Sequence, residues 1–77
     1  MAGNYLATGA SATTIYLKYH PDEKILEIGF RTKEVYQYLK LPLQVWKKYY
    51  NEVKAGGSSG KFFNEHIRDK YEFNKIT

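Results

Sequence analysis

The apolar residues of this chain change period once, at Pro42, and that switch limits the fold more than any other feature. Before it they alternate. In Thr13-Thr14-Ile15-Tyr16-Leu17-Lys18-Tyr19, Ile15, Leu17 and Tyr19 fall on one side and Tyr16 and Lys18 on the other, the two-residue period of a half-buried strand. His20-Pro21-Asp22-Glu23 supplies a turn, because proline presets its first corner. Lys24–Arg31 alternates again, with Leu26, Ile28 and Phe30 together, so the two segments form a hairpin. Thr32-Lys33 lacks the Gly or Asn that a two-residue turn favours. A longer or bulged loop is expected there, before a third strand at Glu34–Leu39.

After Pro42, a favoured first helical residue, Trp46, Tyr49, Tyr50 and Val53 recur at i, i+3, i+4 and i+7. That is one apolar face of a helix over 42–54. Gly56 suits the left-handed residue that stops many helices. Gly56-Gly57-Ser58-Ser59 is then a flexible connector, and Ser58 or Ser59 can cap a second helix, Gly60–Asp69, with Phe63 and Ile67 four apart. Residues Tyr71–Ile76 alternate once more, as a short fourth strand at a sheet edge would. The expected fold is α+β: an antiparallel three- to four-stranded sheet in the order β-β-β-α-α-(β), with both helices packed on one face. Residues 1–12 are mostly small and polar and bury too little to offset their ordering entropy. They are expected as a loose N-terminal arm, with Tyr5 and Leu6 as anchor points, ahead of a single domain at 13–77.

A chain of 77 residues has room for one core, and eight Tyr, four Phe and one Trp are available to fill it. The absence of Cys excludes disulfides, thiolate metal sites and Cys nucleophiles. His20 and His66 are the only histidines, too few at the wrong spacing for a zinc site, so no metal is expected. Ser58 and Ser59 fit capping better than nucleophilic catalysis, and the carboxylates are scattered. No enzyme, no catalytic residue and no cofactor are expected. Ala55-Gly56-Gly57-Ser58-Ser59-Gly60-Lys61 fits a loose phosphate-loop pattern but fails on context. A helix precedes it where a strand should, and Phe62 stands where a hydroxyl must follow the lysine. What survives is an anion site at a helix start with Lys61, or simply a cap and a linker. No stretch approaches a membrane span and Met1–Leu6 is no secretory leader, so a cytoplasmic domain without membrane contact is expected.

The net charge of +4 is unevenly distributed. Residues 1–39 hold four basic and four acidic side chains, whereas residues 40–77 hold eight and four. The surplus is either an electrostatic footprint for a polyanion or a solubilising surface. Tyr36 and Tyr38 share one face of their strand. On an open sheet face they would stack unpaired bases; facing the helices, they would be core. On the second helix Asn64, His66 and Arg68 supply donors suited to phosphate or base edges, although Arg68 also has Glu65 and Glu72 as possible ion-pair partners.

Tyr36-x-Tyr38, then Pro42 with its amphipathic helix, then Gly60-Lys61-Phe62-Phe63-Asn64-x-x-Ile67-Arg68-x-x-Tyr71 resemble the KTSC domain. That family is named for the C-terminal extension of some lysyl-tRNA synthetases and also occurs as small stand-alone bacterial proteins. The resemblance covers 13–76 and implies a single α+β module, with RNA binding suggested by the synthetase setting and no active site to transfer. By position it marks Tyr36, Tyr38, Gly60, Phe63, Asn64, Ile67, Arg68 and Tyr71. The leading expectation is a non-catalytic nucleic-acid-binding module, RNA (tRNA included) before DNA. Tyr36, Tyr38, Lys47, Lys48, Lys54, Lys61, Asn64, His66 and Arg68 would form its surface. The alternative is a protein-interaction module or small inhibitor of the kind phages and mobile elements encode. A third reading is capture of a small phosphorylated ligand at Ser58–Lys61.

Overall fold

The computed structural model describes residues 4–9 and 11–76. Its elements run β1 (Tyr5–Ala7), β2 (Thr14–His20), β3 (Ile25–Phe30), β4 (Val35–Tyr38), α1 (Leu43–Lys54), α2 (Ser59–His66) and β5 (Phe73–Lys75). The strands form one antiparallel sheet whose spatial order, β1-β2-β3-β4-β5, follows the chain. Both helices lie in the connection from β4 to β5.

Register decides which side chains meet the helices. Leu17 pairs with Ile28 and Tyr19 with Leu26; Leu26 then pairs with Tyr38 and Ile28 with Tyr36. Directly opposed residues share a face, so all six point the same way. Leu41, Trp46, Tyr49, Phe63 and Ile67 close over them to make the core. Tyr19 stacks on Trp46 at 5.7 Å and donates its hydroxyl to the Leu41 carbonyl at 2.6 Å. A central strand is thereby tied to the entry of α1.

The helix ends follow the local chemistry. Pro42 stands at the N-cap of α1, one place earlier than expected. At the other end the N–H of Gly56 bonds Val53 O and that of Gly57 bonds Glu52 O, with Gly56 at φ 97°; this is the Schellman stop that a glycine permits. Ser58 Oγ accepts the N–H of Lys61 at 3.2 Å and caps α2. A Cβ at Gly60 would lie 2.5 Å from Thr13 Oγ1, so any larger residue there would have to displace that side chain. The second helix stops at His66, three residues short of the expected end: Phe63 O accepts from Arg68 as well as Ile67, and that wider bond ends the α register. The Thr32-Lys33 connection is a three-residue loop with Lys33 at φ 72° and its N–H on Phe30 O. It is the bulged hairpin expected, with lysine where glycine is usual.

The sheet has five strands, not three or four, and the extra one comes from the segment expected to be a loose arm. Leu6 pairs with Leu17 and packs on the core. Behind it a buried relay of hydroxyls links Thr8 to Thr14 (2.6 Å), Thr14 to Ser59 (2.9 Å) and Ser59 to Tyr49 (2.8 Å), and the Tyr49 hydroxyl also reaches the Ser59 carbonyl at 3.1 Å. With each hydroxyl donating to the next and Tyr49 donating to that carbonyl, every member is satisfied. One leucine and one threonine order the segment, and an average over its composition hides both.

Candidate functional site

The registers that build the core also set the outlook of the Tyr36-x-Tyr38 pair. Both rings face the helix side, so the open-face stacking platform is not made from them. Tyr38 is 3% exposed and belongs to the core; Tyr36 is half-buried. Between β4, β5 and α2, however, the packing leaves a cleft of about 560 Å³, lined in part by Tyr36, Tyr38, Phe63, Phe73 and Arg68. The rings make a connected wall. Phe73 lies 5.2 Å from Tyr36 and 5.4 Å from Tyr38, Tyr36 and Tyr38 are near-parallel at 6.4 Å, and Phe63 meets Tyr38 edge-on at 5.5 Å. Phe73 is 50% exposed, an apolar ring presented to solvent at the mouth.

Four charged residues line the same cleft: Arg31, Glu34, Arg68 and Asp69. Two are occupied within the protein. Arg31 donates from Nε to Ser11 O at 2.6 Å and from its terminal nitrogen to Gly9 O, clamping the β1–β2 loop. Glu34 holds Lys75 Nζ at 2.7 Å, and that bond lowers its carboxyl below the usual range. Among the described residues, no salt bridge engages Arg68 or Asp69, and the Glu65 or Glu72 pairing considered for Arg68 is not formed. Burial pushes the Tyr38 hydroxyl up to about 12, with Tyr36 and Asp69 adding to the rise and Arg68 opposing it. At neutral pH it keeps its proton.

The remaining expected residues lie elsewhere. Lys47, Lys48 and Lys54 are on the exposed side of α1, with Lys54 Nζ 5.8 Å over the Tyr50 ring, and none lines the cleft. Lys61 and His66 line a separate groove of about 190 Å³ with Glu52, Phe62 and Glu65, where His66 packs on Phe62 at 4.4 Å. Asn64 is exposed on α2, and Arg68 lies in the turn just beyond that helix. Of the nine expected binding residues, the cleft unites Tyr36, Tyr38 and Arg68. At the start of α2 the Ser58 side chain is engaged as a cap.

Sequence reasoning missed a polar cluster on the open face of the sheet. Glu27, one of the scattered carboxylates, accepts from Tyr16 OH at 2.5 Å, with His20 Nε2 at 3.3 Å and Gln37 Nε2 at 3.5 Å. Partial burial pushes its carboxyl up, but these hydrogen bonds and the His20 charge outweigh that and lower it. Tyr16 is pushed up to about 12, by burial first and then by Glu27. Its ring lies over Gly29, where a Cβ would come within 2.1 Å of it, and Tyr5 stacks on it at 5.9 Å. The signal was the alternation of Tyr16, Lys18 and His20, which acquires partners only once register is known. Among the described residues no group of three His, Cys, Asp or Glu could hold a metal ion, and no helix is long and apolar enough to cross a membrane.

The KTSC domain profile matches residues 11–71. The chain belongs to the KTSC family. A crystal structure of a KTSC domain protein from Yersinia pestis is similar throughout, at 33% identity and a TM-score of 0.71, covering 87% of this chain and 89% of that one. Comparison with curated proteins gives no match.

Proposed function

We propose that this KTSC domain is a non-catalytic module that binds single-stranded RNA, seating an unpaired base against the rings of the cleft with Arg68 beside it. The observation that carries this reading is one concave surface joining Tyr36, Tyr38 and the exposed Phe73 ring to a cation without a salt-bridge partner among the described residues. Concave sites with apolar walls and a few polar groups are where ligands bind, and ring–base stacking tolerates any base because each has a flat face. The lysines of α1 act at longer range, drawing a polyanion toward the domain. Fluorescence anisotropy with a labelled single-stranded RNA tests this. Affinity falls steeply as salt rises, and Phe73→Ala removes roughly 1–3 kcal/mol, the usual worth of one stacked base. Absence of binding at low salt ends the proposal.

One observation favours a second reading, a protein partner. β5 is an edge strand, with Phe73 in it and Ile76 just after it about half exposed, and a peptide strand added there would shield them. A stoichiometric partner that protects the β5 amides from hydrogen exchange, and that RNA does not displace, would decide for it.

A further inference from the structure

Arg68 and Asp69 are adjacent in the chain, opposite in charge, on the wall of one ring-lined cleft, and neither has a salt bridge among the described residues. A surface salt bridge would have paired them with neighbours, as Glu34 is paired with Lys75. A donor and an acceptor thus stand side by side, without a salt bridge among the described residues, on the wall of a cleft that is also lined by aromatic rings. Guanine alone among the bases offers two acceptors to the one and two donor nitrogens to the other. Along its edge come two acceptors, N7 and O6, and then two donors, N1–H and N2–H. Adenine alternates acceptor, donor and acceptor, and the pyrimidines offer no pair of adjacent donors to a carboxylate.

We infer that the cleft is selective for guanine, Arg68 donating to N7 and O6 while Asp69 accepts from N1–H and N2–H, with the base stacked against Phe73 and Tyr36. This rests on the base-seating reading above and sharpens it. Arginine pairs with those two acceptors in a planar fork. The carboxylate supplies discrimination, because every other base offers it at most one donor nitrogen and leaves an acceptor oxygen unmatched.

The shared chemistry is the guanine base, whether in RNA or in a free nucleotide, and the test separates the two. Four labelled uridine-rich RNA strands, differing only in one central G, A, C or U, are titrated against the intact domain at fixed salt, and GMP is titrated separately. The guanosine strand is expected to bind roughly five- to a hundredfold tighter than the others, the range of one good two-bond base contact. Asp69→Asn should bring that ratio toward one. Equal binding of all four strands overturns guanine selection and leaves the RNA reading standing. GMP bound in an Asp69-dependent way, with no strand bound, keeps the guanine site and overturns RNA as its source. Failure of GMP and every strand overturns both. The four-base comparison uses the unaltered domain, so it decides even if the variant folds poorly.

Discussion

The two ends of the helix-facing core treat their tyrosines differently. At the α1 end, the Tyr19 hydroxyl is bonded to Leu41 O and that of Tyr49 to Ser59, each buried with its partner. At the β5 end the Tyr36 and Tyr38 rings pack as closely, yet among the described residues no hydrogen bond holds the Tyr38 hydroxyl, which burial, Tyr36 and Asp69 push up against the opposing effect of Arg68. The first arrangement uses phenols to satisfy buried backbone and to lock elements together. The second leaves polar atoms at a concave wall, where a ligand can meet them.

That contrast is easiest to break by deleting hydroxyls. Tyr49→Phe strands the buried Ser59 groups and should cost about 1–3 kcal/mol in urea denaturation; Tyr38→Phe should stay within about 0.5 kcal/mol. Equal losses would erase the distinction. The backbone gives a smaller comparison. Gly56, near the Tyr49 end, has φ 97°, and Lys33, at the cleft end, has φ 72°. Gly56→Ala should destabilise by about 1 kcal/mol, and Lys33→Gly should gain somewhat less, relief of the side-chain clash being partly offset by a freer unfolded chain. A Lys33→Gly variant no more stable than the parent would show that the loop tolerates lysine without strain.

Alkaline titration sharpens the comparison with the smallest perturbation. Tyr16 and Tyr38 are each raised from 10.0 to about 12, and Tyr49 is raised further by burial. The folded state therefore holds protons that the unfolded chain has released, so stability is whole below pH 10 and declines as pH climbs through about 12. Ultraviolet titration should show Tyr38 ionising ahead of unfolding, whereas Tyr49 ionises only with it. Ionisation of every tyrosine near pH 10 in the folded domain would contradict this.

Most elements could be read from the sequence because periodicity and capping are local. Trp46, Tyr49 and Val53 mark α1, Gly56 its end and Ser58 the next start, all without knowledge of the rest. What escaped depends on register or on a single anchor. Strand alternation states that Tyr36 and Tyr38 share a face, but only their pairing with Ile28 and Leu26 states which. Glu27 becomes a hub only when Tyr16, His20 and Gln37 are brought beside it. β1 is three residues long, and Leu6 does for it what a whole stripe does for a helix. Arg68 was singled out by its donors; Asp69 gained meaning only beside it in the cleft.

β5 has its own consequence. It pairs with β4 only after both helices have brought the chain round, across a closure of more than thirty residues, and it is the strand that carries Phe73. Its detachment would be a partial opening that leaves β1–β4 and the helices packed, below the cost of global unfolding. Such an opening removes one wall of the cleft in a single motion. On the proposed reading, ligand affinity is set partly by how firmly three residues hold their neighbour, and anything that clamps or frays that strand tunes recognition without touching a ligand atom.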